Sequence, residues 1–121
     1  MGEYDRDTRA DGIMAEEMAA DFLQEHGFSI LNRNYRYSRC GEIDIIASRG
    51  ELLLFVEVRY KRRRQRISAA ESVTRRKLAR LKKTASDYLR NHPEHSPKET
   101  CRFDLITVEE GAIEWIQDII R

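Results

Sequence analysis

The sequence predicts a single α/β domain, on three observations. Apolar residues recur at helical spacing across residues 9–26; two extended apolar runs, 42–47 and 52–58, flank a turn; and a second amphipathic segment, 68–90, precedes extended runs at 102–108 and 112–116. Helix and strand patterns that alternate along 121 residues describe one core of ordinary domain size, with neither repeats nor low-complexity tracts.

The first helix follows from Met14, Ala15, Met18, Ala19, Phe22 and Leu23 on one stripe, with Gly27 as its C-terminal stop and residues 1–8 expected as a flexible N-terminus. Glu17, Asp21 and Gln24 take the polar face, while Glu16 falls at the margin of the stripe beside Leu23 and points toward the body. An extended segment over 28–31 resumes around Tyr35. The polar stretch 38–41 then leads into a strand.

Residues 48–51 carry turn chemistry, so 42–47 and 52–58 form a hairpin. A loop of those four residues pairs Ala47 with Leu52, Asp44 with Phe55 and Glu42 with Glu57. One face then displays Glu42, Asp44, Glu57 and Arg59 beside Leu53 and Phe55; Ile43, Ile45, Leu54, Val56 and Val58 line the other. A basic loop over 61–66 comes next, and Ser68 with Glu71 makes a capping box for the second helix. That helix carries Leu78, Leu81 and Ala85 inward, with Lys77 as a cation on its inner margin.

Composition narrows the function. Hydrophobic residues make up 40% of the chain and charged residues 36%, too apolar for disorder. The polar, acidic start is unlike a secretory signal, and the longest apolar run, 52–56, is too short to span a bilayer, so a cytoplasmic protein without a membrane partner is expected. Cys40 and Cys101 lack zinc spacing and read as isolated reduced thiols.

The net charge of +1 conceals segregation: residues 1–58 hold 6 basic and 12 acidic side chains, 59–90 hold 13 and 2, and 91–121 hold 3 and 7. A cationic block inside an acidic chain suits a phosphate-rich partner.

Asp44 and Glu57 are the chemistry-bearing pair. Mg²⁺ or Mn²⁺ takes oxygen ligands, and a nuclease site needs two or three converging carboxylates with a cation nearby. A solvated acidic face is the ordinary alternative, but Leu53 and Phe55 share this surface.

The residues also carry a family resemblance. Gly12 to Glu16 with Ala19, Gly27-Phe28, Asn34-Tyr35-Arg36, the block Gly41-Glu42-Ile43-Asp44-Ile45-Ile46-Ala47, Phe55-Val56-Glu57-Val58, Lys77 and Arg102-Phe103-Asp104 occur in that order. The chain resembles the YraN family of bacterial proteins, related to Holliday-junction resolvases and PD-(D/E)xK nucleases. The resemblance implies a restriction-endonuclease-like three-layer α/β domain with a mixed central β-sheet flanked by helices. It further implies Asp44 and Glu57 as metal-binding acids, Glu16 as an additional metal ligand, Mg²⁺ or Mn²⁺ as cofactor, and a homodimer by analogy with resolvases.

Position 59, where the motif has lysine, is Arg59, which can stabilise phosphoryl charge but cannot act as a general base. Lys61 or Lys77 is then expected to supply the lysine. Arg62, Arg63, Arg64, Arg66, Arg75 and Arg76 are the candidate nucleic-acid contacts, DNA before RNA, with Arg80, Lys82 and Lys83 extending the cationic surface.

Two functions remain in competition: a metal-dependent endonuclease hydrolysing DNA phosphodiesters, with branched DNA as a candidate substrate, and a catalytically impaired nuclease fold that binds nucleic acid. A third, weaker reading makes the basic helix a docking surface for an acidic protein. His92 and His95 read as surface loop, Trp115 and Tyr60 as packing.

Overall fold

Strands β1 (Ser29–Tyr37), β2 (Gly41–Arg49), β3 (Leu52–Tyr60), β4 (Thr100–Glu109) and β5 (Ala112–Ile116) form one sheet in that spatial order. Helix α1 (Gly2–Glu25) precedes β1, and α2 (Arg75–Asn91) connects β3 to β4. The β3–β4 pair is parallel and the other three are antiparallel, which makes the sheet mixed as expected. In this computed structural model the described backbone comprises residues 2–61, 74–95 and 100–120, with side chains from residue 9 onward. Arg62, Arg63, Arg64 and Arg66, and the Ser68–Glu71 pair, lie outside the described residues.

The helices cover opposite faces. Ala15, Ala19 and Leu23 of α1 pack with Ile45, Ala47, Leu54 and Val56, while Leu81, Ala85 and Tyr88 of α2 pack with Ile43, Ile46, Leu53 and Phe55. Central strand β3 is therefore buried on both sides, which explains its unbroken apolar run better than the alternation of a half-exposed strand would. The result is the expected three-layer α/β domain.

Four details differ from the sequence expectations. Helix α1 starts at Gly2, well before residue 9. Strand β1 is continuous from Ser29, with a pairing irregularity between Ile30 and Asn32 and a left-handed Asn34 (φ 56°) absorbing what read as an interruption. The α2 N-cap is Thr74, whose hydroxyl accepts the Lys77 N–H at 3.2 Å.

The fourth is the hairpin register: Ala47 pairs with Leu54 and Arg49 with Leu52, two residues from the expected alignment. Ser48 and Arg49 are strand residues, and the turn is the pair Gly50-Glu51, with Gly50 at φ 60°. A shift of two preserves which face each side chain occupies.

Ile43 is the exception to that alternation, because it packs on the α2 side and not with Ile45. The β2–β3 ladder runs only to Ile45–Val56, and beyond it the Val58 N–H goes to the Asp44 carboxylate at 2.8 Å. The side chain there replaces a backbone acceptor, and strict period two is lost.

A second carboxylate anchors the C-terminal end. Asp104, fully buried, accepts two hydrogen bonds from Arg102 (2.9 Å each), one from Trp115 Nε1 (2.7 Å) and one from the Asp118 N–H (2.9 Å). Trp115 also meets Phe22 and Phe28 edge-on, confirming its packing role. The histidines pack too: the His92 ring stacks on Tyr88 with centroids 4.0 Å apart.

Candidate active site

Asp44 and Glu57 meet where β2 and β3 leave their regular ladder. Continuing the observed register by one residue sets them opposite each other, closer than the diagonal relation expected from sequence. Glu57 is buried (5% exposed) among the apolar residues of β3. Asp44 Oδ2 accepts the Val58 N–H, and its carboxyl shares a hydrogen bond with Glu57.

Burial pushes the Asp44 carboxyl up to about 9, and the Glu57 carboxylate beside it and the charge of Glu16 push in the same direction. The Val58 N–H opposes them. At neutral pH Asp44 therefore keeps a proton, which bridges what would otherwise be two adjacent anions.

Cations balance the other side of Glu57. Lys77 Nζ lies 2.5 Å from Glu57 Oε2 and Arg59 Nη2 lies 3.8 Å from it. Neither contact has hydrogen-bond alignment, so among the described residues the buried Oε2 has ion-pair partners but no hydrogen bond. Of the two lysines considered for the vacant motif position, Lys77 reaches the acids. Lys61, just past the C-terminal end of β3, contributes its N–H to the Val108 carbonyl and does not line the cleft.

Lys77 reaches that point because α2 sits unusually close to the start of β2. A Cβ at Gly41 would fall 2.8 Å from Thr84 Oγ1 and 3.3 Å from the Arg80 carbonyl. Thr84 is fully buried, and its hydroxyl is turned onto the Arg80 carbonyl at 2.8 Å. The glycine that opens the Gly41–Ala47 block thus lets the second helix lie against the sheet and project Lys77 and Arg80 over the carboxylates.

The acids open into a cleft of about 380 Å³ whose rim carries Arg36, Arg39, Glu42, Lys77 and Arg80. Glu42 does not face Glu57 as expected. The β1–β2 ladder pairs it with Arg36, and their side chains form an ion pair at 3.2 Å. From sequence Arg36 appears only within the Asn34-Tyr35-Arg36 motif and Arg39 only within the polar stretch 38–41, and neither carries a role there.

Glu16 comes from α1, on the opposite face of the sheet, and does not line the cleft. Its charge is felt at Asp44, but among the described residues no group of three His, Cys, Asp or Glu side chains is placed to hold one ion. Two carboxylates, rather than three, are therefore brought together. Arg75 and Arg76 are exposed on the first turn of α2. Cys40 and Cys101 are free thiols.

A family model, that of the uncharacterised protein family UPF0102, matches residues 15–108, most of the described fold and all of the cleft. The chain belongs to this family. It is the family that the sequence motifs identify as YraN. Similar members are the UPF0102 protein of Dichelobacter nodosus, 42% identical over 93% of this chain and 90% of its own length, and that of Vibrio cholerae, 39% identical over 93% of each. The UPF0102 protein of Coxiella burnetii is 40% identical, again over 93% of each chain. Among the described residues, no helix is long and apolar enough to cross a membrane.

Proposed function

We propose that this UPF0102 member is a Mg²⁺- or Mn²⁺-dependent endonuclease that hydrolyses DNA phosphodiesters in the Asp44–Glu57 cleft. The observation that carries the reading is the facing Asp44–Glu57 carboxyl pair: Glu57 is buried with no aligned hydrogen bond to its Oε2 among the described residues, and burial together with Glu57 pushes the half-buried Asp44 up to about 9. Two acids in apolar surroundings are costly to keep adjacent. A divalent cation replacing the proton would satisfy both, and oxygen donors are the ligands Mg²⁺ and Mn²⁺ prefer.

Asp44 and Glu57 would hold the ion, and Glu16 would add negative charge from behind. The ion would supply Lewis-acid polarisation of the scissile phosphate and a water made acidic enough to attack near neutral pH. Lys77, at the cleft side of Glu57, is placed to stabilise charge on the transferring phosphoryl group, and Arg59 backs it. Arg36, Arg39 and Arg80 on the rim would fix the flanking phosphates.

Arg59 in the lysine position and the two-acid grouping favour one other reading, a fold that binds DNA without cutting it. Incubation of labelled linear, flapped and four-way DNA with Mn²⁺ separates the two. The nuclease reading expects cleavage that disappears in Asp44→Asn. Absence of cutting by the wild type, or cutting that survives in the variant, rejects it.

A further inference from the structure

Beyond the carboxylate cleft lies a second groove that the proposed chemistry leaves unused. It is about 730 Å³ in volume and shares Ser38, Arg39 and Cys40 with the cleft, so the β1–β2 turn is a common wall between them. Lys82, Lys83, Ser86 and Arg90 of α2 form the opposite wall, and Tyr37 sits at the end of β1. Among the described residues that line it there is no Asp or Glu.

The wall on α2 is a continuous stripe, since Lys82, Ser86 and Arg90 are spaced four apart and Lys83 lies seven before Arg90. All four are exposed. Asp87 pairs with Arg90 at 3.1 Å and also accepts the Tyr35 hydroxyl at 2.7 Å. Among the described residues of the groove, Arg39, Lys82 and Lys83 have no such neutralising acid. The Arg90 guanidinium carbon stands 5.8 Å from the Tyr37 ring centroid.

We propose that this groove holds an unpaired DNA segment continuous with the strand whose phosphodiester enters the Asp44–Glu57 cleft, an assignment that rests on the nuclease reading for its register. The phosphates lie against Arg39, Lys82 and Lys83, and one base stacks on Tyr37 beside Arg90. A cationic groove with an aromatic platform is the arrangement by which proteins take single strands without reading sequence. A duplex keeps its bases stacked on one another and has none to offer Tyr37.

Helix geometry sets the reach. From Lys77 to Arg90 is thirteen residues along α2, about 20 Å at the α-helical rise, so the strand must continue several nucleotides past the carboxylates to fill the groove. The substrate class that follows is DNA with a single-stranded arm at the cleavage point, such as a flap or splayed end, rather than intact duplex.

Fluorescence anisotropy with labelled single-stranded DNA and with blunt duplex, both in EDTA, tests the groove without requiring cleavage. For the single strand, Lys82→Ala/Lys83→Ala should lower the slope of log affinity against log salt by about 1.4, from two contacts at about 0.7 each. Tyr37→Ala should weaken it about tenfold, while Tyr37→Phe retains binding. Duplex binding should be insensitive to Tyr37→Ala. Unchanged single-strand affinity and salt slope in the lysine double variant, or equal losses for duplex and single strand in Tyr37→Ala, overturns the proposal.

Cleavage in Mn²⁺ then separates the two readings. Groove-dependent binding by a wild type that never cuts removes the nuclease reading and upholds the groove. Flap cleavage with unaltered KM in the lysine double variant does the reverse.

Discussion

Replacing Asp44 by Asn should stabilise the metal-free protein while abolishing its response to Mn²⁺. The folded-state value of Asp44, about 9, lies above its ordinary value of 3.8, so between those limits the folded chain holds a proton that the unfolded chain has released. Linkage then makes stability fall as pH rises across that window, by about 1.4 kcal/mol per unit, with no penalty below it and the full penalty above it. At pH 7 the accumulated penalty is about 4 kcal/mol.

Asparagine removes the penalty and keeps the contacts: its amide oxygen accepts the Val58 N–H, and its NH₂ donates toward Glu57 as the shared proton does. A gain of about 2–4 kcal/mol is expected at pH 7, on the order of 10 °C in Tm for a domain of this size. Thermal unfolding in EDTA at pH 5, 7 and 9 is the assay, and the advantage of Asp44→Asn over wild type should widen with pH. With Mn²⁺ at about 100 times its Kd, the wild type should gain about 2.7 kcal/mol and the variant almost nothing. A variant less stable than wild type at pH 9 in EDTA would refute the reasoning, because Asp44 would then be contributing as an ordinary ionised hydrogen-bond acceptor.

Four further outcomes follow from the same geometry. Because Mn²⁺ must displace the proton on Asp44, its apparent affinity should rise about tenfold per pH unit below about pH 9, with close to one proton released, measurable by calorimetry in buffers of different ionisation enthalpy. Lys77→Met leaves the buried Glu57, among the described residues, with the more distant Arg59 as its one cationic partner, and should lower stability by about 1–3 kcal/mol and DNA cleavage by two orders of magnitude or more, read by thermal melts and single-turnover assays. Gly41→Ala drives a methyl into Thr84 and the Arg80 backbone, so both Tm and cleavage should fall as α2 is displaced. Asp104→Ala strands the Arg102 guanidinium and the Trp115 N–H, and should cost about 3–5 kcal/mol with a change in Trp115 fluorescence.

The parts of this fold legible in the sequence were those with a clear period. The α1 stripe, the two strands of the hairpin and the inward face of α2 follow directly from apolar spacing. The hairpin register does not, because residues 48–51 all carry turn chemistry while Gly50 closes the turn in two residues. The error left the facing of Asp44 and Glu57 intact, since a shift of two conserves side-chain parity.

Ile43 was misplaced for a different reason: Asp44 uses its own carboxylate in place of a backbone acceptor, a local event invisible to periodicity. The lysine of the site was narrowed to two candidates by sequence. That Lys77 is the one lying against Glu57 follows from the long-range approach of α2 to Gly41, to which the bare glycine is the clue. Arg36 and Arg39 join the cleft through strand pairing and a turn, and nothing in their spacing announced it.

The central claim is that a divalent ion takes the place of the Asp44 proton. A crystal soaked in Mn²⁺ and measured at the manganese absorption edge tests it most directly. The account predicts an anomalous peak between the Asp44 and Glu57 carboxylates, with Lys77 drawn off Glu57 Oε2. Saturating Mn²⁺ that leaves this position empty, with the carboxyl pair still sharing its proton, would contradict it.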